Sequence, residues 1–366
     1  MTHSTLWTLA VAGLVSATGC SGSDTRSASD SGAATPAPAT SSGSVDLTGA
    51  GATFPQPIYS KWFSDYAAKT GVRINYQSIG SGGGIQQLTV GTVDFGASDA
   101  PMTDAEMSKA KGGPILHFPT VLGAVVITYN VPDLAQPLNL SGEVIADIFL
   151  GKITKWNDSR IASLNAGATL PARDILVVHR SDGSGTTYIF SDYLAAVSPA
   201  WASGPGKGKE LKWPVGLGGK GNEGVAGQVK QTPYTLGYVE LAYANQNKLP
   251  AAKVKNAAGQ FVAPAIPSIT AAAAGAIEKL PPTTDYRVSI VNAPGADAYP
   301  ISSFTWLLVY QRQPDATKGK KLVDFLRWAL TEGEASAAAL DYAPLPAAVG
   351  KELIERLATI QVGTAS

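Results

Sequence analysis

Three stretches of this chain place small and hydroxyl residues where a helix is expected to begin. They are Gly49-Ala50-Gly51-Ala52-Thr53-Phe54-Pro55, Gly80-Ser81-Gly82-Gly83-Gly84, and Arg180-Ser181-Asp182-Gly183-Ser184-Gly185-Thr186-Thr187. A helix N-terminus carries free N–H groups and partial positive charge. Glycine lets the backbone come close to an anion, and Ser or Thr adds a hydroxyl donor. Each stretch alone is equally readable as a plain N-cap. Three in one chain, one beside an arginine, favour a shared anion site. None carries a lysine at the spacing of a P-loop, which disfavours a nucleotide.

A fourth element, Asp94-Phe95-Gly96-Ala97-Ser98-Asp99-Ala100-Pro101, contributes a carboxylate. Asp99 is readable as a cap or turn residue. In an anion site it would act differently, because an ionised carboxylate only accepts hydrogen bonds. It repels an anion unless that anion brings a proton. Phosphate carries one near neutral pH and sulfate does not, so an aspartate here would filter for protonated oxyanions.

The elements that must position these groups read as alternating strands and amphipathic helices. Val72, Ile74 and Tyr76 alternate as in a half-buried strand. Ile58, Trp62, Phe63 and Tyr66 recur at helical spacing, closed by Gly71. Val144, Ile145, Ile148 and Phe149 form a second stripe, stopped by Gly151. Leu322, Phe325, Leu326 and Leu330 line a late helix. Ile175–His179 and Phe304–Tyr310 read as buried strands, and the Ala-rich 268–280 stretch as a helix ended by Pro281-Pro282. Pro55 is expected at the first helical position, where its missing N–H is harmless. Such alternation predicts α/β domains with mixed sheets, and 366 residues suffice for two of them.

Composition narrows the chemistry. With 28 basic and 28 acidic residues the chain has no basic field for nucleic acid, so any anion must be held by a local site. The single cysteine, Cys20, can form neither an intrachain disulfide nor a cysteine cluster. Three histidines, His3, His117 and His179, are few for a zinc enzyme. Leu6–Val15 is a short apolar run ending in Ala17-Thr18-Gly19-Cys20, similar to a lipoprotein signal. On that reading residues 1–20 are a signal segment and Cys20 carries lipid; an ordinary signal peptide in which Cys20 is incidental stays open. Residues 21–45, rich in Ser, Gly, Ala, Thr and Pro, read as a flexible tether.

The chain resembles the phosphate-binding proteins of bacterial phosphate-specific ABC importers, the PstS family. The stretches that carry the resemblance are GAGATFPQPIYSKW (49–62), DFGASDAP (94–101), LGKITKWND (150–158), HRSDGSGTT (179–187), GLGGKGNEGV (216–225), YPISS (299–303) and LDYAPLP (340–346). They run in order through nearly the whole body. The resemblance implies a class II periplasmic-binding-protein fold, in which two α/β lobes with mixed sheets are joined by two crossover strands around a cleft. Lobe I would comprise 46–121 and 290–357, and lobe II 122–289. By matching position, inorganic phosphate would be held by Thr53, the Phe54 backbone N–H, Ser81, Asp99, Arg180, Ser184, Gly185 and Thr186, with Ala52 at the rim. Asp182 is readable either as the group that orients the Arg180 guanidinium or as a plain loop residue. His179 is expected on the opposite face of its strand.

The implied function is extracytoplasmic capture of phosphate and delivery to permease subunits, by a lipid-anchored monomer without cofactor, metal or catalysis. Three competing classes stay open on the residues alone. A secreted phosphatase or serine hydrolase would need an activated nucleophile, and Ser184 lies in Gly-Ser-Gly rather than in the Gly-x-Ser-x-Gly elbow. A sulfate or molybdate binder is opposed by Asp99. An adhesion or signalling protein could keep the fold without transport.

Overall fold

The computed structural model describes residues 46–363 except 133, 135 and 278–283. The signal segment, the tether, Cys20 and the proline stop at 281–282 lie outside the described residues. Among the described residues no helix is long and apolar enough to cross a membrane.

Eight strands form the main sheet: β1 (Leu47–Gly51), β2 (Ile74–Ser78), β3 (Phe95–Ser98), β4 (Ile115–Asn130), β5 (Leu176–Arg180), β6 (Leu217–Gly219), β7 (Thr235–Glu240) and β8 (Ser302–Tyr310). Their order is β2-β1-β3-β8-β4-β7-β5-β6. Strands β1, β2 and β3 are parallel to one another, as are β5, β6 and β7. The central partners β8 and β4 run antiparallel to their neighbours.

Strand β4 makes this two half-sheets. From Ile115 to Ala124 it pairs with β8, and from Val125 to Asn130 with β7. One strand thus leaves the first half and enters the second. The chain returns through the segment that ends in β8, where Val125 N–H donates to Ile301 C=O at 2.8 Å and Tyr299 Oη to Val125 C=O at 3.2 Å. This is the class II periplasmic-binding-protein architecture of two α/β lobes with mixed sheets.

Each lobe has its own aromatic core. In the first, helix α1 (Gln56–Thr70) turns Tyr59, Trp62, Phe63 and Tyr66 inward, where Phe63 packs on Phe95 and Phe325. In the second, Phe149 and Phe190 sandwich against Tyr238, and Phe190 stacks on that ring at 4.2 Å. Burial of side chains this large dominates the hydrophobic gain.

The local expectations hold with small shifts. Helix α1 ends at Gly71 in the left-handed region, and the 144–149 stripe forms α4 (Gly142–Phe149), counting α2 (Ser81–Val90) and α3 (Asp104–Met107) before it. The late helix is Ala316–Ala329. The Ala-rich helix runs Ile266–Ile277, two residues earlier than its expected start. One expectation is corrected: Pro55 is the N-cap residue of α1, and Pro57 takes the early helical position. The Thr53–Phe54–Pro55 segment is therefore a turn, closed by Gln56 N–H donating to Thr53 C=O at 3.2 Å.

Candidate functional site

The candidate site lies at the carboxyl ends of parallel strands, the position at which open α/β sheets expose backbone to ligands. Strand β1 ends at Gly51 and leads into Thr53 and Phe54, β2 leads into α2, and β3 leads into Asp99. In the second lobe β5 ends at Arg180 and leads into α5 (Gly185–Val197). Gly51 has φ +147°, and a Cβ there would come within 2.7 Å of Ala97 N and closer still to Ala97 O. Only glycine lets β1 and β3 run this close at the site's floor.

Across the lobes, Gly82 N–H donates to Gly183 C=O at 2.8 Å. A Cβ on Gly185 would stand 2.5 Å from Ser81 Oγ and 2.6 Å from Asp99 Cβ. The structure therefore brings Ser81, Asp99 and the start of α5 to one point. Thr53, Ser81, Asp99, Arg180, Ser184 and Thr186 are all buried there.

Arg180 is committed on one edge. Its Nε donates to Asp182 Oδ1 at 2.8 Å, its Nη2 to Asp182 Oδ2 at 2.5 Å, and its Nη1 to Thr186 Oγ1 at 3.3 Å. A guanidinium has five N–H groups, so each Nη keeps one hydrogen that these bonds do not use. Asp182 also accepts from Gly221 N–H at 3.0 Å. Burial would raise the Asp182 carboxyl, but the Arg180 hydrogen bonds and charge outweigh it and hold the group below its ordinary value.

Asn222, which lies in the 216–225 stretch but receives no role from the sequence alone, sets the direction of two hydroxyls. Its Nδ2 donates to Thr53 Oγ1 at 2.7 Å and to Thr186 Oγ1 at 3.1 Å, and its backbone N–H also reaches Thr53 Oγ1 at 3.2 Å. Each threonine oxygen thus accepts twice, from Asn222 alone or from Asn222 and Arg180. Its own O–H is left as a donor. Asn222 is itself fixed by Glu240 N–H, which donates to its Oδ1 at 2.9 Å. Ser184 is the N-cap of α5, its Oγ accepting from Thr187 N–H at 3.0 Å. The plain-cap reading and a ligand role are compatible here, because its hydroxyl hydrogen remains available. The amides of Phe54, Gly185 and Thr186 have no hydrogen-bond partner among the described residues. Ala52 differs: its N–H goes to Ala97 C=O at 2.9 Å and its C=O accepts from Tyr76 Oη at 2.7 Å. It is fully buried and offers a ligand no backbone group.

Asp99 is not a helix cap. The next helix, α3, is capped by Thr103 in a capping box with Glu106. Asp99 Oδ1 accepts from Thr305 Oγ1 at 2.8 Å, and Ser81 Oγ lies 3.5 Å from Oδ2. Burial pushes its carboxyl up to about 7, against the opposing pull of Thr305, Arg180 and Ser81. Thr305 was missed because it sits in a strand read only as buried. The one aliphatic hydroxyl within that apolar run was the available signal, since a buried hydroxyl needs a partner.

The raised Asp99 carboxyl makes stability depend on pH. Its contribution is full below its unfolded value near 3.8 and is lost as pH rises through about 7. In phosphate-free buffer, Asp99→Asn should gain on wild type by up to about 4 kcal/mol between about pH 4 and about pH 8. Denaturant titrations at several pH values measure this. Parallel profiles for the two proteins would show that the carboxyl is not desolvated as described.

The arrangement is thus rich in donors, from hydroxyls, amides and a guanidinium, and contains two carboxyls, Asp99 and the Asp182 group tied to Arg180. His117 and His179 stand apart from it. His117 Nε2 accepts from Met102 N–H at 3.0 Å, and burial pushes its pKa down to about 3. His179 stacks on Trp213 at 4.6 Å.

Comparison with known proteins gives the family. Residues 33–332 match the family model of the PBP superfamily domain. The phosphate-binding protein PstS of Pasteurella multocida is 48% identical over 312 residues, covering 85% of this chain and 88% of that one. PstS of Xylella fastidiosa is 45% identical over 344 residues, 93% of each chain. Among solved structures, a phosphate-binding protein from Stenotrophomonas maltophilia superposes with a TM-score of 0.68 over 86% of this chain and 94% of that one. At 21% identity it speaks to the fold alone. With this family-model match and 45–48% identity to such relatives over most of its length, the chain belongs to the PBP superfamily and, within it, to the PstS family of phosphate-binding proteins.

Proposed function

We propose that this protein captures inorganic phosphate outside the cytoplasm and delivers it to an ABC importer, with Thr53, Phe54, Ser81 and Asp99 from lobe I and Arg180, Ser184, Gly185 and Thr186 from lobe II as its ligands. The observation that carries the reading is a buried carboxyl, Asp99, acted on by the Arg180 charge and surrounded by donors. A protonated oxyanion satisfies both signs: its oxygens accept from the donors and its O–H donates to Asp99. Asp182 is the group that holds the Arg180 fork in plane. Lobe I is taken as 46–121 and 290–357, and lobe II as 122–289.

The protein is read as a binder without catalysis. Ser184 is engaged as a cap, and His117 and His179 stand away from it. Its partners are the permease subunits of the importer, and it works as a monomer held at the membrane through lipid on Cys20. Calorimetric titration of the purified protein with phosphate, sulfate and arsenate tests the reading. Phosphate and arsenate should bind tightly and sulfate weakly or not at all. Equal affinity for sulfate, or no heat with phosphate, would sink it.

Ligand groups from two lobes imply binding by closure, since a ligand that touches both favours the closed state. Gly185 and Gly80 lie where the two lobes approach most closely. Gly185→Ala should weaken phosphate binding about fivefold, roughly 1 kcal/mol, as its methyl presses on Ser81 and Asp99. Small-angle scattering should show a smaller radius of gyration with phosphate for wild type, and a reduced change for the variant at equal saturation. Wild-type affinity in the variant would place Gly185 away from the closing surface.

A further inference from the structure

We propose that Glu240 is held protonated at neutral pH, and that its hydrogen bond to Tyr342 positions the Phe54 carbonyl and so the turn that presents Phe54 N–H to the anion. Glu240 closes β7 next to the point where β4 crosses between lobes, and it is fully buried. Its Oε2 accepts from Ala242 N–H at 2.8 Å and lies 3.2 Å from Tyr342 Oη. Tyr342 Oη in turn lies 2.6 Å from the Phe54 carbonyl oxygen.

The directions of these bonds settle where the hydrogens are. A carbonyl only accepts, so the single tyrosine hydrogen goes to Phe54. The contact between Tyr342 and Glu240 must then be donated by the carboxyl, which an ionised carboxylate cannot do. One oxygen that accepts from Ala242 and donates to Tyr342 is the hydroxyl oxygen of a neutral acid. An amide supplies no single atom able to do both.

The surroundings agree. Glu240 Oε1 has no hydrogen-bond partner among the described residues. It stands 3.3 Å from the position of a Cβ on Gly123, which would also meet the Phe54 ring. A charge left on that oxygen would be far more costly than a neutral carbonyl. The charged groups that act on Glu240 are Asp341 and Asp99, both acidic, and the hydroxyls that face it are those of Tyr342 and, nearby, Tyr243. Burial comes first among the causes that push its carboxyl well above the ordinary range.

The consequence for the site runs through two successive peptides. Tyr243 Oη donates to the Thr53 carbonyl at 2.6 Å, and Tyr342 to the Phe54 carbonyl. The first of these carbonyls belongs to the same peptide as Phe54 N–H. Both planes of the turn are therefore pinned by tyrosine hydroxyls, and the neutral acid pins one of those tyrosines without adding negative charge beside the anion. Glu240 is thus a positioning residue, and the inference rests on reading Phe54 N–H as a phosphate donor.

Infrared difference spectroscopy on phosphate-free protein tests the proton directly. Wild type minus Glu240→Gln should show the C=O stretch of a protonated carboxyl at neutral pH. Tyr342→Phe should keep that band and move it to higher frequency, because the acid loses its acceptor. Both variants should bind phosphate about three- to tenfold more weakly. Absence of the band, a band that Tyr342→Phe leaves unmoved, or wild-type affinity in both variants overturns the proposal. If Glu240→Gln does not fold, glutamate-specific carbon-13 labelling of wild type and Tyr342→Phe carries the same test. The band must then shift with the isotope and with the loss of the tyrosine hydroxyl. A wild type that shows the band but binds no phosphate would instead refute the ligand assignment.

Discussion

Arg180→Ala is expected to weaken phosphate binding by about 2–5 kcal/mol, roughly thirtyfold to several thousandfold. Two effects combine. The variant loses the two Nη hydrogens that Arg180 holds free for an anion, in a fork whose geometry matches two oxygens of one phosphate. It also leaves Asp182 without its bidentate partner and Asp99 without the positive charge that acts on it. A donor site then becomes one with two carboxyls and no arginine. Arg180→Lys should recover only part of the loss, since a lysine cannot serve Asp182 and two ligand oxygens from one plane. Single hydroxyl deletions such as Ser184→Ala should cost less, about 1 kcal/mol. Calorimetry across these variants at one salt concentration gives the ranking. A change below about twofold for Arg180→Ala would mean that backbone N–H groups carry the site.

Asp99→Asn is expected to lower the phosphate-to-sulfate affinity ratio by at least about tenfold, roughly 1.4 kcal/mol. The tertiary structure sharpens why. Thr305 donates to Asp99 Oδ1 at 2.8 Å, so in the asparagine the amide oxygen should take that place and the NH₂ group should take the place of Oδ2. That is the position facing Ser81 and the start of α5. Above its raised value of about 7 Asp99 is ionised and only accepts, and the asparagine donates toward the anion in its place. Sulfate, which meets a carboxylate with no proton between them, should gain most. Phosphate should change modestly, since it gives up its O–H bond to Asp99 and can offer an unprotonated oxygen to the amide. Selectivity in the wild type thus comes from repulsion of the wrong ligand as much as from attraction of the right one. Paired titrations on folded wild type and variant at about pH 8, above the raised Asp99 carboxyl, decide the point. An unchanged ratio would assign Asp99 a packing role and move the filter elsewhere.

The amino-acid sequence by itself determined the local pieces, because their causes are local. Apolar spacing and Gly71 set α1, the 144–149 stripe set α4, and Gly51, Gly80 and Gly185 marked places where backbone comes too close for a side chain. The residue types around Thr53, Ser81, Asp99 and Arg180 named the chemistry of a protonated oxyanion. Only the tertiary structure decided how those groups are aimed. Asn222 turns the Thr53 and Thr186 hydroxyls into donors, Thr305 selects which oxygen of Asp99 faces the site, and Glu240 acts on Phe54 through Tyr342. The partners in these bonds are 36 to 288 residues apart. The direction of a buried hydrogen bond depends on what stands across space from it, and that follows from the order in which β8, β4 and β7 pair rather than from any neighbour in the chain.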